Sequence, residues 1–114
     1  MRLDSVTKLV RFLPESADEP HDDWTSFKVR GKRFASATPD ERSLHLAVDD
    51  DETRACVAED PDAFEEWWTG KSLCLRVDLE GAKPARVREL IMEAWLRKAP
   101  KRVAATLDDR GKDG

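Results

Sequence analysis

The residues best suited to chemistry in this chain are cations set along an apolar frame. Residues 26–36 read SFKVRGKRFAS, with Phe27, Val29 and Phe34 interleaved with Lys28, Arg30, Lys32 and Arg33. On an extended strand successive side chains point to opposite faces. Phe27, Val29 and Phe34 therefore share one face, and Lys28, Arg30 and Arg33 share the other. A row of Lys and Arg on a strand face is suited to phosphate oxygens, which supply most of the affinity in sequence-tolerant nucleic-acid binding. Arg76, on a later strand, and Lys101 with Arg102, in RKAPKR, extend the candidate set. A plainer account stands beside this one. Cations keep exposed strands soluble and discourage edge pairing, and cations near a helix C-terminus favour its dipole.

Other chemistries have less to stand on. His21 and His45 are isolated, and no Ser/His/Asp or Cys/His spacing points to nucleophilic catalysis. No catalytic residue and no enzymatic activity is expected. Asp49-Asp50-Asp51-Glu52 offers the carboxylates that hard cations want. The run is equally an N-cap with an acidic first turn, which needs no ion. Neither a metal nor a cofactor is expected. Cys56 and Cys74, the only two cysteines, lie outside any CxxC pair and read as reduced, small apolar side chains. Among the tryptophans, Trp95 suits the core. Trp67 and Trp68 cannot both point inward, so one of them is expected at the surface. Aromatic rings beside basic residues can also stack on bases.

The totals limit the field. A chain of 114 residues suits one domain. Net charge is -4, which argues against an all-over basic nucleic-acid sponge. The charges are segregated, however: VDDDETRACVAEDPDAFEEWW holds a single cation, whereas KVRGKR, KPARVR and RKAPKR are basic. A chain can be acidic in sum and still present one positive face. No apolar run approaches a membrane span, and the N-terminus lacks a secretory pattern. The expected compartment is the cytoplasm, and a monomer is expected.

Elements that would position the cations follow from periodicity. Asp4 can cap a helix carrying Val6, Leu9, Val10 and Leu13, ended by Pro14. ESADEPHDD reads as an acidic loop. Trp24–Arg30 and the residues after Gly31 form a hairpin, with either Arg30-Gly31 or Gly31-Lys32 as its loop. Leu44, Leu46 and Val48 mark a third strand. DDDET opens a short helix to about Glu59. DAFEEWWTGKS reads as a turn or short helical segment. Leu73, Leu75, Val77 and Leu79 mark the clearest strand, and Val87, Leu90, Ile91, Ala94 and Trp95 a long helix. The order α-β-β-β-α-β-α predicts an α+β domain. Its single antiparallel four-stranded sheet would be covered on one face by the N- and C-terminal helices. The other face would be wet and carry Lys28, Arg30, Arg33, His45, Cys74 and Arg76.

Taken together, SFKVRGKRFAS, SLHLAV, LCLRVDL and VRELIMEAWLRKAPKR resemble the MmcQ/YjbR family, over roughly Leu3 to Arg102. The resemblance implies a frataxin-like (CyaY-like) fold for residues 1–102, followed by a polar tail over 103–114. It also implies DNA binding through a double-wing surface. Relatives often have an aromatic residue where Leu73 stands here. The expectation is a DNA-binding protein of little sequence specificity, with Lys28, Arg30, Lys32, Arg33, Arg76, Lys101 and Arg102 on the phosphates. The alternative is a protein-interaction or small-ligand module that uses the open sheet face and no nucleic acid.

Overall fold

The structure is a computed structural model that describes residues 1–113, with side chains described through Leu107. Its elements in chain order are α1 (Leu3–Phe12), β1 (Ser16–His21), β2 (Trp24–Val29), β3 (Lys32–Ala37), β4 (Ser43–Leu46), α2 (Asp50–Glu59), β5 (Phe64–Thr69), β6 (Ser72–Asp78), α3 (Pro84–Lys98) and α4 (Lys101–Asp113). The α+β class and the antiparallel sheet hold. The expected four strands are six, in the order β1-β2-β3-β4-β6-β5. Every neighbouring pair is antiparallel.

Both additional strands close hairpins at the sheet's edges. The acidic segment expected to be a loop is β1, paired with β2 from Ser16↔Val29 to His21↔Trp24. Pro20 removes a donor, which an edge strand tolerates. Glu19 of β1 pairs with Lys28 of β2 at 2.9 Å and Asp18 with Arg11 of α1 at 3.0 Å, and these ion pairs offset poor intrinsic strand propensity. The segment DAFEEWWTGKS, expected to be a turn or short helix, contains β5, paired with β6 from Phe64↔Val77 to Thr69↔Ser72.

The β2–β3 loop is Arg30-Gly31, with φ of +49° and +79°. Two successive positive φ values define the type I′ turn, whose twist matches that of the flanking strands. Further along, Phe27 pairs with Ala35 while Lys28 pairs with Arg33, so Phe34 is an extra, bulged residue. A regular register would have turned Ser36 inward with Phe34. The bulge instead lets Phe34, Ala35 and Ala37 all be buried.

The pleat then sorts the sheet into rows. Phe27, Ala35, Leu46 and Leu75 lie in one row, and Ser26, Ser36, His45, Arg76 and Glu65 in the next, on the opposite face. The first face packs against the helices: α1 on β1, α3 on β3 and β4, α2 on β5 and β6. Val6, Val10, Leu90, Ile91 and Trp95 complete the core, all fully buried. The Trp95 indole donates from Nε1 to Ser16 Oγ at 2.8 Å, tying α3 to the start of β1.

Two local readings need amendment. Asp4 sits in the first turn of α1, and the N-cap position is Arg2, which makes no side-chain cap bond. The stretch expected to be a polar tail from 103 is part of α4, whose Val103 is fully buried. Gly114, the last residue of that expected tail, lies outside the described residues. Among the described residues, no helix is long and apolar enough to cross a membrane.

Candidate functional site

Strand β4 has four residues, while its neighbours β3 and β6 have six and seven. Leu46 near the end of β4 pairs with Ala35 and with Leu75. Strands β3 and β6 therefore run on past β4 towards their own hairpin loops, Arg30-Gly31 and Gly70-Lys71, at the same end of the sheet. Gly70 takes φ of +61°, as the first position of a two-residue hairpin loop requires. Between the two projecting hairpins lies a cleft of about 720 Å³, continuous with the uncovered sheet face. Arg33, His45, Trp24, Trp67, Cys74 and the α3 residues Arg97 and Lys98 are among those lining it. Arg97 is held there by donating from Nη1 to the Ala47 carbonyl at 2.9 Å.

The uncovered face is drier than expected. His45 stands mid-sheet with Trp24 on one side, ring centres 5.2 Å apart and nearly edge-on. Trp67 lies on the other, at 5.0 Å and tilted by 42°. His45 is left 9% exposed. Its Nε2 is buried without a hydrogen-bond partner among the described residues. Burial pushes the imidazole pKa down, the positive Arg76 adds to that, and Glu65 opposes it. Arg76 lies over the Trp67 ring and reaches Ser43 Oγ at 3.5 Å. Of the adjacent tryptophans, Trp67 belongs to this cluster and Trp68 is the one at the surface, 52% exposed.

The seven candidate cations do not act as one set. Lys28 and Arg30 are engaged by the unforeseen strand and its approach: Lys28 Nζ lies 2.9 Å from Glu19, and Arg30 Nε 2.9 Å from Glu15. Arg76 is committed to Trp67. Lys32 and Arg33 are exposed and form no ion pair among the described residues. Lys101 and Arg102 are exposed on the first turn of α4, away from the cleft lining. The half of RKAPKR that reaches the cleft is the preceding Arg97-Lys98. Lys71, at the tip of the second hairpin, was also missed. Its signal was present in Gly70-Lys71 between a Trp-Trp-Thr run and a clean strand.

Nucleophilic or metal chemistry finds little here. Burial pushes the Cys56 thiol up to about 11, partly opposed by Arg86. Burial also raises the Cys74 thiol, against the nearby positive Arg33. Neither is an activated thiolate. Asp49 caps α2 by accepting from the Asp51 amide at 3.1 Å, and Glu52 pairs with Arg86 at 2.7 Å. Among the described residues no group of three or more His, Cys, Asp or Glu could hold a metal ion.

An antiparallel sheet with helices on one face and two projecting hairpins defines an α+β architecture shared with solved proteins. A Deinococcus radiodurans protein with a DUF419 domain superposes with a TM-score of 0.73 at 24% identity, covering 83% of this chain and 76% of that one. A Pseudomonas syringae protein superposes with a TM-score of 0.67 at 12% identity, covering 86% and 99%. At these identities the likeness is one of fold. No curated protein matches the chain. The YjbR family profile matches residues 12–97, and the chain belongs to the YjbR family.

Proposed function

We propose that this YjbR-family chain is a non-enzymatic, cytoplasmic, monomeric DNA-binding protein that grips phosphates at the cleft between its two hairpins. The observation that carries this reading is the convergence of cations from three elements on one end of the sheet. Arg33 from the first hairpin and Lys98 from the end of α3 line the cleft, and Lys71 stands beside it at the tip of the second hairpin. None is in an ion pair among the described residues, whereas Lys28 and Arg30 are internally neutralised. Cations free of protein carboxylates can release counterions from DNA; paired ones contribute less. No cofactor is required. The rival reading, a module for a protein or small molecule on the uncovered sheet face, draws on the Trp24–His45–Trp67 cluster.

Fluorescence anisotropy of labelled duplex DNA, titrated over a salt series, tests the proposal. With roughly four phosphate contacts, log affinity falls with log salt at a slope of about -3.6. Arg33→Glu with Lys71→Glu should weaken binding about 10-fold or more at low salt. Lys101→Glu with Arg102→Glu should leave it within about 2-fold, since these residues lie off the cleft. Flat titrations at low salt would overturn the proposal and favour the rival.

A further inference from the structure

The aromatic cluster has no role in phosphate binding. A sheet face that only meets water is ordinarily polar, because exposed indoles forgo the gain of burial. Here two indoles sit on the face that no helix covers, one on either side of His45. Between them the His45 Nε2 is buried and, among the described residues, unpartnered. A buried polar atom without a partner costs free energy unless something completes its hydrogen bond. The neighbouring positions in the same row are Ser26, which is buried, and the partly exposed Ser36, both lining the cleft. The cleft therefore brings together the half-buried Trp24 and Trp67, the latter with Arg76 over its ring, a polar atom without a partner, and Arg33 and Lys98 beside Asp22 and Asp50.

We infer that this face receives unpaired bases of single-stranded DNA, which stack against Trp24 and Trp67 while the strand's phosphates reach Arg33 and Lys98. The inference rests on the DNA-binding reading and adds the form of the ligand. Arg33, Arg97 and Lys98 outnumber Asp22 and Asp50 in the lining, which favours an anion, and the indoles select one that carries aromatic rings. Base–aromatic stacking tolerates any sequence, because every base has a π-face. In a duplex those faces are already occupied by neighbouring base pairs, so only an unpaired strand can use the cluster.

The test uses three probes of matched length on the intact chain: a thymidine 12-mer, an abasic 12-mer with the same phosphates, and a 12-base-pair duplex. The thymidine strand should bind about 5-fold or more tighter than the abasic strand and should quench tryptophan fluorescence. Trp67→Leu and Trp24→Leu, checked for folding by circular dichroism, should each erase most of that advantage and leave abasic affinity within about 2-fold. Equal affinity of wild-type protein for thymidine and abasic strands would overturn this inference while leaving the phosphate reading standing. That comparison needs no variant to fold. Absence of binding to all three probes would overturn both.

Discussion

The guanidinium carbon of Arg76 lies 4.9 Å from the centre of the Trp67 ring. The two residues come from neighbouring strands, and Arg76 is also the direct cross-strand partner of His45. One cation thus braces an indole and bears on an imidazole. Arg76→Ala should cost about 1 kcal/mol in urea unfolding, the scale of a partly desolvated cation–π contact. It should also raise the His45 pKa, because a positive neighbour that holds it down is removed. Arg76→Lys should recover only part of the stability, lacking the flat guanidinium. An NMR titration of His45 alongside the urea curves checks both effects.

His45 makes stability depend on mild acid. Its folded pKa is depressed below the ordinary 6.5, chiefly by burial. Above about pH 6.5 the imidazole is neutral in both folded and unfolded chains, and stability is full. Below that, the unfolded chain takes up a proton that the folded chain refuses, so stability falls with pH. Asp18, held below its ordinary 3.8 chiefly by its hydrogen bond from Arg11, acts only in a more acidic window. Thermal melts at pH 7.5 and 5.5 should show a lower midpoint in acid, and His45→Gln should flatten the difference. An unchanged slope in that variant would remove His45 from the account.

Arg86 fastens α3 to α2. Its guanidinium donates to Glu52 at 2.7 Å, to Glu89 at 3.2 Å and to the Cys56 sulfur at 3.4 Å. Glu59 lies 3.6 Å away. Its side chain is 22% exposed, so solvent screens these bonds only partly. Arg86→Met should destabilise by about 2 kcal/mol, because it leaves several carboxylates facing one another without their shared cation. Equilibrium unfolding in urea measures this. A loss under about 0.5 kcal/mol would class the cluster with ordinary surface pairs.

Arg30 occupies a left-handed position, φ +49°, that asparagine tolerates better. Its compensation is an exposed ion pair with Glu15, worth about 0.5 kcal/mol. Arg30→Asn should therefore stabilise by about 0.5 kcal/mol, read as a raised melting midpoint. DNA affinity should change little, since Arg30 is already spoken for. A large loss of affinity would return Arg30 to the contact surface.

The core was legible in the sequence because burial imposes periodicity. Phe27, Val29, Leu44, Leu46, Leu75, Val77, Leu90 and Trp95 all stand where alternation or helical spacing puts them. The two edge strands were not legible, for a shared reason. Ser16–His21 and Phe64–Thr69 are exposed along most of their length, so neither shows an apolar stripe. Their pairing is written in the partner strand and in turn residues such as Gly70. Missing β1 carried over to the candidate site. Without it, Lys28 and Arg30 looked free, and Glu15 and Glu19 had no reason to lie beside them. The basic hairpin was legible, but its cations without an ion pair among the described residues are Lys32 and Arg33. The Trp24–His45–Trp67 cluster was out of reach because its members lie on three different strands, brought together only by register.

The brevity of β4 has a consequence in sheer width. Beyond its four residues, the projecting hairpins stand two inter-strand steps apart, roughly 9.5 Å. Neither jaw can slide sideways, because each is locked to β4 by the pairs Ala35↔Leu46 and Leu46↔Leu75 further down. The opening is a fixed caliper. Its width is that of the one strand missing between the jaws.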